Sequence, residues 1–181
     1  MKVRGRRECR SCGNRWSYYE TGSVACPACG SLRSVGVDDR TRHTNAPVEY
    51  DLTPVRGSID EQPLEEIATD AAEQSSEYVR QRGFVDGGSL LALDETFVAA
   101  TELRHVASEI ARTLQPTDAQ ELYFFTLLRG ADEGERPDPR EVPSELRPSY
   151  GLAMMAAVEA YQRDLRAYLD DEPDPQARSL S

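Results

Sequence analysis

The chain is short of lysine, cysteine, histidine and long apolar runs, and each shortage removes a class of function. No stretch approaches the ~18 apolar residues that a membrane-spanning helix needs. The opening MKVRGRREC lacks the apolar segment of a signal peptide. A cytoplasmic protein without a membrane partner is therefore expected. Catalytic motifs are missing too: there is no G-x-x-x-x-G-K-[ST], no H-E-x-x-H and no G-x-S-x-G. His43 and His105 are the only histidines. His43, between Arg42 and Thr44, reads as a solvent-facing side chain, and His105 as a partly buried residue beside a helical stripe. With the cysteines committed elsewhere, nothing pairs a nucleophile with a base. The expectation is a protein that is not an enzyme.

Lys2 is the only lysine among the 21 basic residues, against 32 acidic ones and a net charge of -11. Such an acidic, arginine-based surface suits a highly salty cytoplasm. Charge is also uneven along the chain. Residues 1–42 carry nine basic and four acidic side chains, and the remainder carries twelve and twenty-eight. Two parts of different character are implied.

All four cysteines fall in CRSCGNRWSYYETGSVACPACG, residues 9–30, as two C-x-x-C pairs. In a reducing compartment such pairs are metal ligands more often than disulfides. Zinc takes four thiolates in a tetrahedron, and two facing knuckles supply them, so Cys9, Cys12, Cys26 and Cys29 are the candidate metal ligands and zinc the expected ion. Gly13 and Gly30 follow the pairs, where a knuckle turns with positive φ. Arg15–Tyr19 reads as a strand, Glu20–Ser23 as a turn and Val24–Ala25 as the return. So small a module rarely buries enough apolar surface to fold alone; bound metal supplies the difference. Trp16, Tyr18 and Tyr19 can stack on bases while Arg7, Arg10 and Arg15 meet phosphates. The alternative is that the aromatic residues cover the ribbon's small core.

From Ser31 to about Ile59 there is no helical period, although Leu32, Val35 and Val37 can add a strand. Beyond it the pattern is helical. Leu64 to Val79 repeats at three and four; Asp94 caps a stripe of Phe97, Ala100, Leu103, Ala107, Ile110 and Leu114; Pro116 ends it. Thr117-Asp-Ala-Gln120 has the form of a capping box and opens a third helix, apolar on nearly all sides. ADEGERPDPREVP reads as an exposed linker. A fourth helix follows Pro148, with Gly151, Met154, Met155, Val158, Tyr161, Leu165, Tyr168 and Leu169 as its stripe and Arg163, Asp164 and Arg166 toward water. The expected fold is a small N-terminal zinc ribbon (1–38), an extended linker (39–60), an all-α bundle of about four helices (61–170) and a disordered tail (171–181).

The start of the chain through CRSCGNRWSYYETGSVACPACGSLRSVGVD resembles an uncharacterised family of haloarchaeal zinc-ribbon proteins, some labelled as transcription factor IIH C1-like domains. That resemblance implies a zinc-bound interaction domain in transcription or repair. The chain has four cysteines, where the eight-ligand, two-zinc pattern belongs to such a domain. The functional expectation is a zinc-ribbon adaptor that assembles with a protein partner, with homo-oligomers formed through the helical bundle. The alternative is a nucleic-acid-binding regulator acting through the ribbon's aromatic and arginine residues.

Overall fold

The computed structural model describes residues 1–171. They fall into two compact units. The first takes Met1–Val48, Gln81–Ala92 and residues 161–171; the second takes Glu49–Arg80 and Leu93–Ala160.

In the first unit the strands are short. β1 (Lys2–Arg4) pairs with β5 (Arg40–Arg42), and β2 (Arg6–Cys9) lies between β3 (Arg15–Ser17) and β4 (Ser34–Gly36), all antiparallel. Gly5 lets one run of chain serve both sheets: a Cβ there would lie 2.1 Å from the Tyr19 ring, and its carbonyl accepts from the Tyr18 N–H at 2.6 Å. Tyr18 and Tyr19 do not continue β3 as the aromatic pattern suggested. They start α1 (Tyr18–Thr21), capped by Ser17, whose side chain accepts from the Glu20 N–H, and stopped by Gly22 at φ 61. Ser17-x-x-Glu20 is the sequence form of a helix start, and it overrides strand propensity here.

The stretch expected as linker, 39–60, holds β5 and α2 (Thr53–Gly57) and buries Leu52 and Val55. Apolar side chains at that spacing stabilise more by packing than by staying solvated. After Gly83 the chain forms a hairpin of β6 (Val85–Asp86) and β7 (Ser89–Leu90), joined through Gly87 and Gly88 with φ 56 and 90. Two positive φ values in a two-residue loop match the twist of the flanking strands.

The second unit is helical. Its elements are α2, most of α3 (Leu64–Gln81), α4 (Glu95–Ile110), α5 (Asp118–Gly130) and the first part of α6 (Arg147–Asp171). The described residues hold six α-helices, of which the short α1 and α2 precede residue 61, together with three 3-10 turns; the expectation was about four helices, all within 61–170. Phe97, Ala100, Leu103, Ala107 and Ile110 are buried as the stripe required, but Leu114 lies past the end of α4 and is fully exposed. The capping box is present: the Gln120 N–H donates to Thr117 Oγ1 at 3.3 Å and the Thr117 N–H to Gln120 Oε1 at 2.8 Å. α5 is not apolar all round in its burial, since Leu122 is 70% exposed.

The Pro-rich stretch is no bare linker. Ala131 and Val142 are buried in the core, and Arg136 reaches the buried Glu102 at 2.9 Å. Along α6, Ala153, Ala157, Asp164 and Leu169 are buried while Met155 and Val158 are exposed. Asp164, expected toward water, accepts from Thr44 Oγ1 at 2.6 Å and from the Phe84 N–H at 2.7 Å within the first unit. A carboxylate that satisfies a hydroxyl and a backbone N–H tolerates burial. Past Asp171, the expected tail lies outside the described residues. No helix among the described residues is long and apolar enough to cross a membrane.

Candidate metal centre

The two C-x-x-C pairs fold by the same rule. The Cys9 N–H donates to the Asn14 carbonyl at 2.9 Å and the Cys26 N–H to the Ser31 carbonyl at 2.9 Å. The Gly13 N–H donates to the Cys9 carbonyl at 3.0 Å and the Gly30 N–H to the Cys26 carbonyl at 2.8 Å. Gly13 and Gly30 have φ 75 and 69, the left-handed turn that a Cβ disfavours. β2 delivers Cys9, β4 leaves from the second knuckle opposite it with Cys9 paired to Ser34, and the Ser11 and Ser31 hydroxyls meet across the gap at 3.0 Å. Two equivalent knuckles thus face each other.

The sulfurs converge. Cys9 Sγ lies 3.7 Å from Cys29 Sγ, Cys12 Sγ lies 3.6 Å from Cys26 Sγ, and all four lie within 4.8 Å of one another. A tetrahedron with Zn–S of ~2.3 Å has edges of about 3.8 Å. The donor set therefore fits a zinc ion in chemistry and spacing: soft thiolates, four in number, at nearly the separation the ion imposes. Cys9 and Cys26 are buried, Cys12 and Cys29 exposed.

Protonation follows the knuckle geometry. The Cys12 N–H, ahead of the opposing effect of burial, lowers Cys9 to about 6. Burial works against the Cys26 thiolate, but the N–H groups of Cys29 and Ala28 and the neighbouring sulfurs outweigh it and lower that pKa as well. The Asn14 N–H favours the Cys12 thiolate, yet hydrogen bonding to the Cys29, Cys26 and Cys9 sulfurs, with burial, pushes Cys12 up to about 12. Cys29 is raised despite the Ser31 N–H. A divalent cation would displace the protons the outer pair holds, so affinity falls as pH falls. With four sulfurs around one ion no coordination position is left for substrate.

The six candidate contact residues have different surroundings. Arg7 stands opposite Trp16 in the sheet and bonds Ser34 Oγ at 2.9 Å; Arg15 pairs with Glu8 at 2.7 Å; Arg10 is exposed. Trp16 donates to the Ser23 carbonyl at 3.1 Å. The Tyr19 ring lies against His43 with centroids 4.5 Å apart, and its hydroxyl bonds Thr41 Oγ1. Tyr18 is half-buried. His43, read from sequence as solvent-facing, is 8% exposed. Its flanking Arg42 and Thr44 are polar, and the apolar surface that covers it comes from α1, distant in sequence. No local signal could have revealed that contact.

No curated protein and no solved structure matches the chain. A family model does match, over residues 1–181, so the chain belongs to the family of unknown function DUF7117.

Proposed function

We propose that the first unit is a zinc ribbon and that the protein is a non-enzymatic adaptor whose ribbon docks a protein partner, in transcription or another information-processing complex. One observation carries the reading: four thiol sulfurs at near-tetrahedral spacing on a small, basic unit. A filled coordination shell supplies rigidity and leaves no site for metal-assisted chemistry. Binding of single strands through Trp16 and Tyr19 would require free ring faces. Tyr19 is packed against His43 and close to Gly5 and Gly87, which withdraws its ring from such a surface. Protein assembly therefore suits the ribbon better than base stacking.

The test is affinity capture of the metal-loaded chain at its native salt concentration, with and without nuclease, beside a Cys12→Ser variant. The expected result is one zinc per chain and a defined protein partner that survives nuclease and is lost with Cys12→Ser. Metal below stoichiometry, or association that vanishes with nuclease, overturns the proposal.

A further inference from the structure

His43 sits where three stretches of the first unit meet. Its backbone N–H donates to the Met1 carbonyl at 2.9 Å. On either side of it the hairpin is tied down: the Gly88 N–H donates to the Arg42 carbonyl at 2.8 Å, the Thr44 N–H to the Val85 carbonyl at 2.8 Å, and the Val85 N–H to Thr44 Oγ1 at 3.1 Å. The hairpin therefore runs along residues 42–44, with its tip over the imidazole. At that tip one ring nitrogen has two claimants. The Gly87 N–H approaches His43 Nδ1 at 3.3 Å, and Asp86 Oδ1 lies 3.2 Å from the same atom. That carboxylate oxygen is buried and has no hydrogen-bond partner among the described residues.

Accepting from the Gly87 N–H commits the neutral ring to the tautomer with its proton on Nε2 and a lone pair on Nδ1; the imidazolium carries a proton on both nitrogens. With a lone pair, Nδ1 accepts from Gly87 and faces the orphaned Asp86 oxygen. With a proton, it donates to Asp86 in a charge-assisted bond and can no longer accept from Gly87. We propose that His43 is a proton-operated latch on the β6–β7 hairpin, exchanging the Gly87 amide for the Asp86 carboxylate when it is protonated.

The surroundings define when the exchange occurs. Asp86 faces the ring from the hairpin, the Met1 ammonium acts on it from β1, and the Tyr18 and Tyr19 rings face it from α1 at centroid distances of 6.1 and 4.5 Å. Its strand neighbour Arg42 is paired with Asp171, and Asp164 on α6 is held by Thr44 and the Phe84 N–H. Burial lowers the pKa of His43 from its ordinary 6.5; Asp86 opposes this and the Met1 ammonium adds to it. The latch is thus closed on Gly87 at neutral pH and thrown on the acid side. Two consecutive positive-φ glycines give the tip the freedom to turn the Gly87 amide away. The same peptide crowds Tyr19, since a Cβ at Gly87 would lie 2.8 Å from that ring, so its movement is transmitted to α1.

The test is an NMR titration of the full, metal-loaded chain from about pH 8 to 5.5, across the range where histidine changes charge, with bound zinc measured at every point. His105→Gln assigns the two imidazoles. The His43 ring and the Gly87 amide should move with one shared midpoint below 6.5. Asp86→Asn should lower that midpoint by about one pH unit, a roughly tenfold loss of proton affinity. In His43→Gln the Gly87 amide should cease to respond. A Gly87 signal that stays flat while His43 titrates, or a His43 midpoint unmoved by Asp86→Asn, overturns the latch.

Discussion

The two units solve the problem of folding by different means. The second buries a cluster of seventeen residues, from Leu52 and Val55 through Leu103 and Phe124 to Leu146. Among its described residues the first buries only Cys9, Cys26, Phe84, Val85 and Leu169 of its apolar positions, and two of those five are candidate metal ligands. Five of the six positive-φ glycines lie in the first unit. Charge divides the same way: its described residues hold twelve basic and eight acidic side chains, against eight and twenty-two in the second. A unit built from turns and short strands gains too little from burial to offset its chain entropy and needs a cross-link. A helical unit with a continuous core does not.

Metal removal is the strongest test of that contrast. Structural zinc contributes on the order of 10–16 kcal/mol in small peptides near neutral pH. A strong chelator, or Cys26→Ser at the buried sulfur, should unfold the first unit while most helical signal survives. Near-UV and far-UV circular dichroism, followed together, check it. Simultaneous loss of both signals would show that the second unit's core does not stand without the metal.

The next largest effect belongs to the second unit's single deeply buried carboxylate. Glu102 is fully buried; it accepts from the Tyr123 hydroxyl and from Arg136 Nη1 at 2.9 Å, while Arg136 also meets Glu95 at 3.3 Å. Removing one partner of a buried pair leaves an uncompensated charge and costs about 3–5 kcal/mol. Arg136→Met should lower the urea midpoint accordingly, and Glu102→Gln placed on top of it should recover part of the loss. A cost within 0.5 kcal/mol, the level of an ordinary surface change, would mean that this core holds its charges as loosely as a surface does.

A smaller effect comes from Asp132. It bonds Arg56 through both oxygens, at 2.7 and 2.8 Å, and also accepts from the Leu52 N–H at 3.0 Å, which fastens α2. Burial alone would raise its pKa, but Arg56 and the Leu52 N–H outweigh this and hold it below the ordinary 3.8. A depressed carboxylate binds fewer protons folded than unfolded. Its contribution is therefore complete above 3.8 and fades as pH falls through the lower folded value. Asp132→Asn should cost about 1.5–3 kcal/mol at neutral pH and almost nothing at the acid end. A mutant and wild type that lose stability in parallel across that range would rule out the ion pair as the cause.

How much of this was written in the sequence depended on whether the signal was local. The cysteine pairs with their glycines, the Thr117 capping box and the Phe97-to-Ile110 stripe are local patterns, and the structure carries all of them. The Ser17-x-x-Glu20 start is equally local, but the aromatic strand formers of Arg15–Tyr19 mask it. Asp164, Glu102 and His43 were beyond reach for another reason. A polar residue becomes buried when its partners arrive from elsewhere, and Thr44, Arg136 and Asp86 lie 120, 34 and 43 positions away. Periodicity predicts which side chains leave water only for apolar residues.

The smallest expected effect tests where that periodicity stops. Leu114 continues the α4 stripe by one more turn, yet it is fully exposed, whereas Ile110 on the same stripe is 1% exposed. The helix gives out between them. The Arg112 and Thr113 N–H groups donate to the carbonyls three residues earlier, at 3.2 and 3.1 Å, the tightened bonding of a helix end. Pro116 then disfavours helical geometry at Gln115. Leu114→Ser should therefore shift stability by less than about 0.5 kcal/mol, while Ile110→Ala should cost about 2–5 kcal/mol, both read from urea melts. If the two costs were alike, the apolar face would extend past the last turn of α4, and the second unit's core would be larger than the buried residues define.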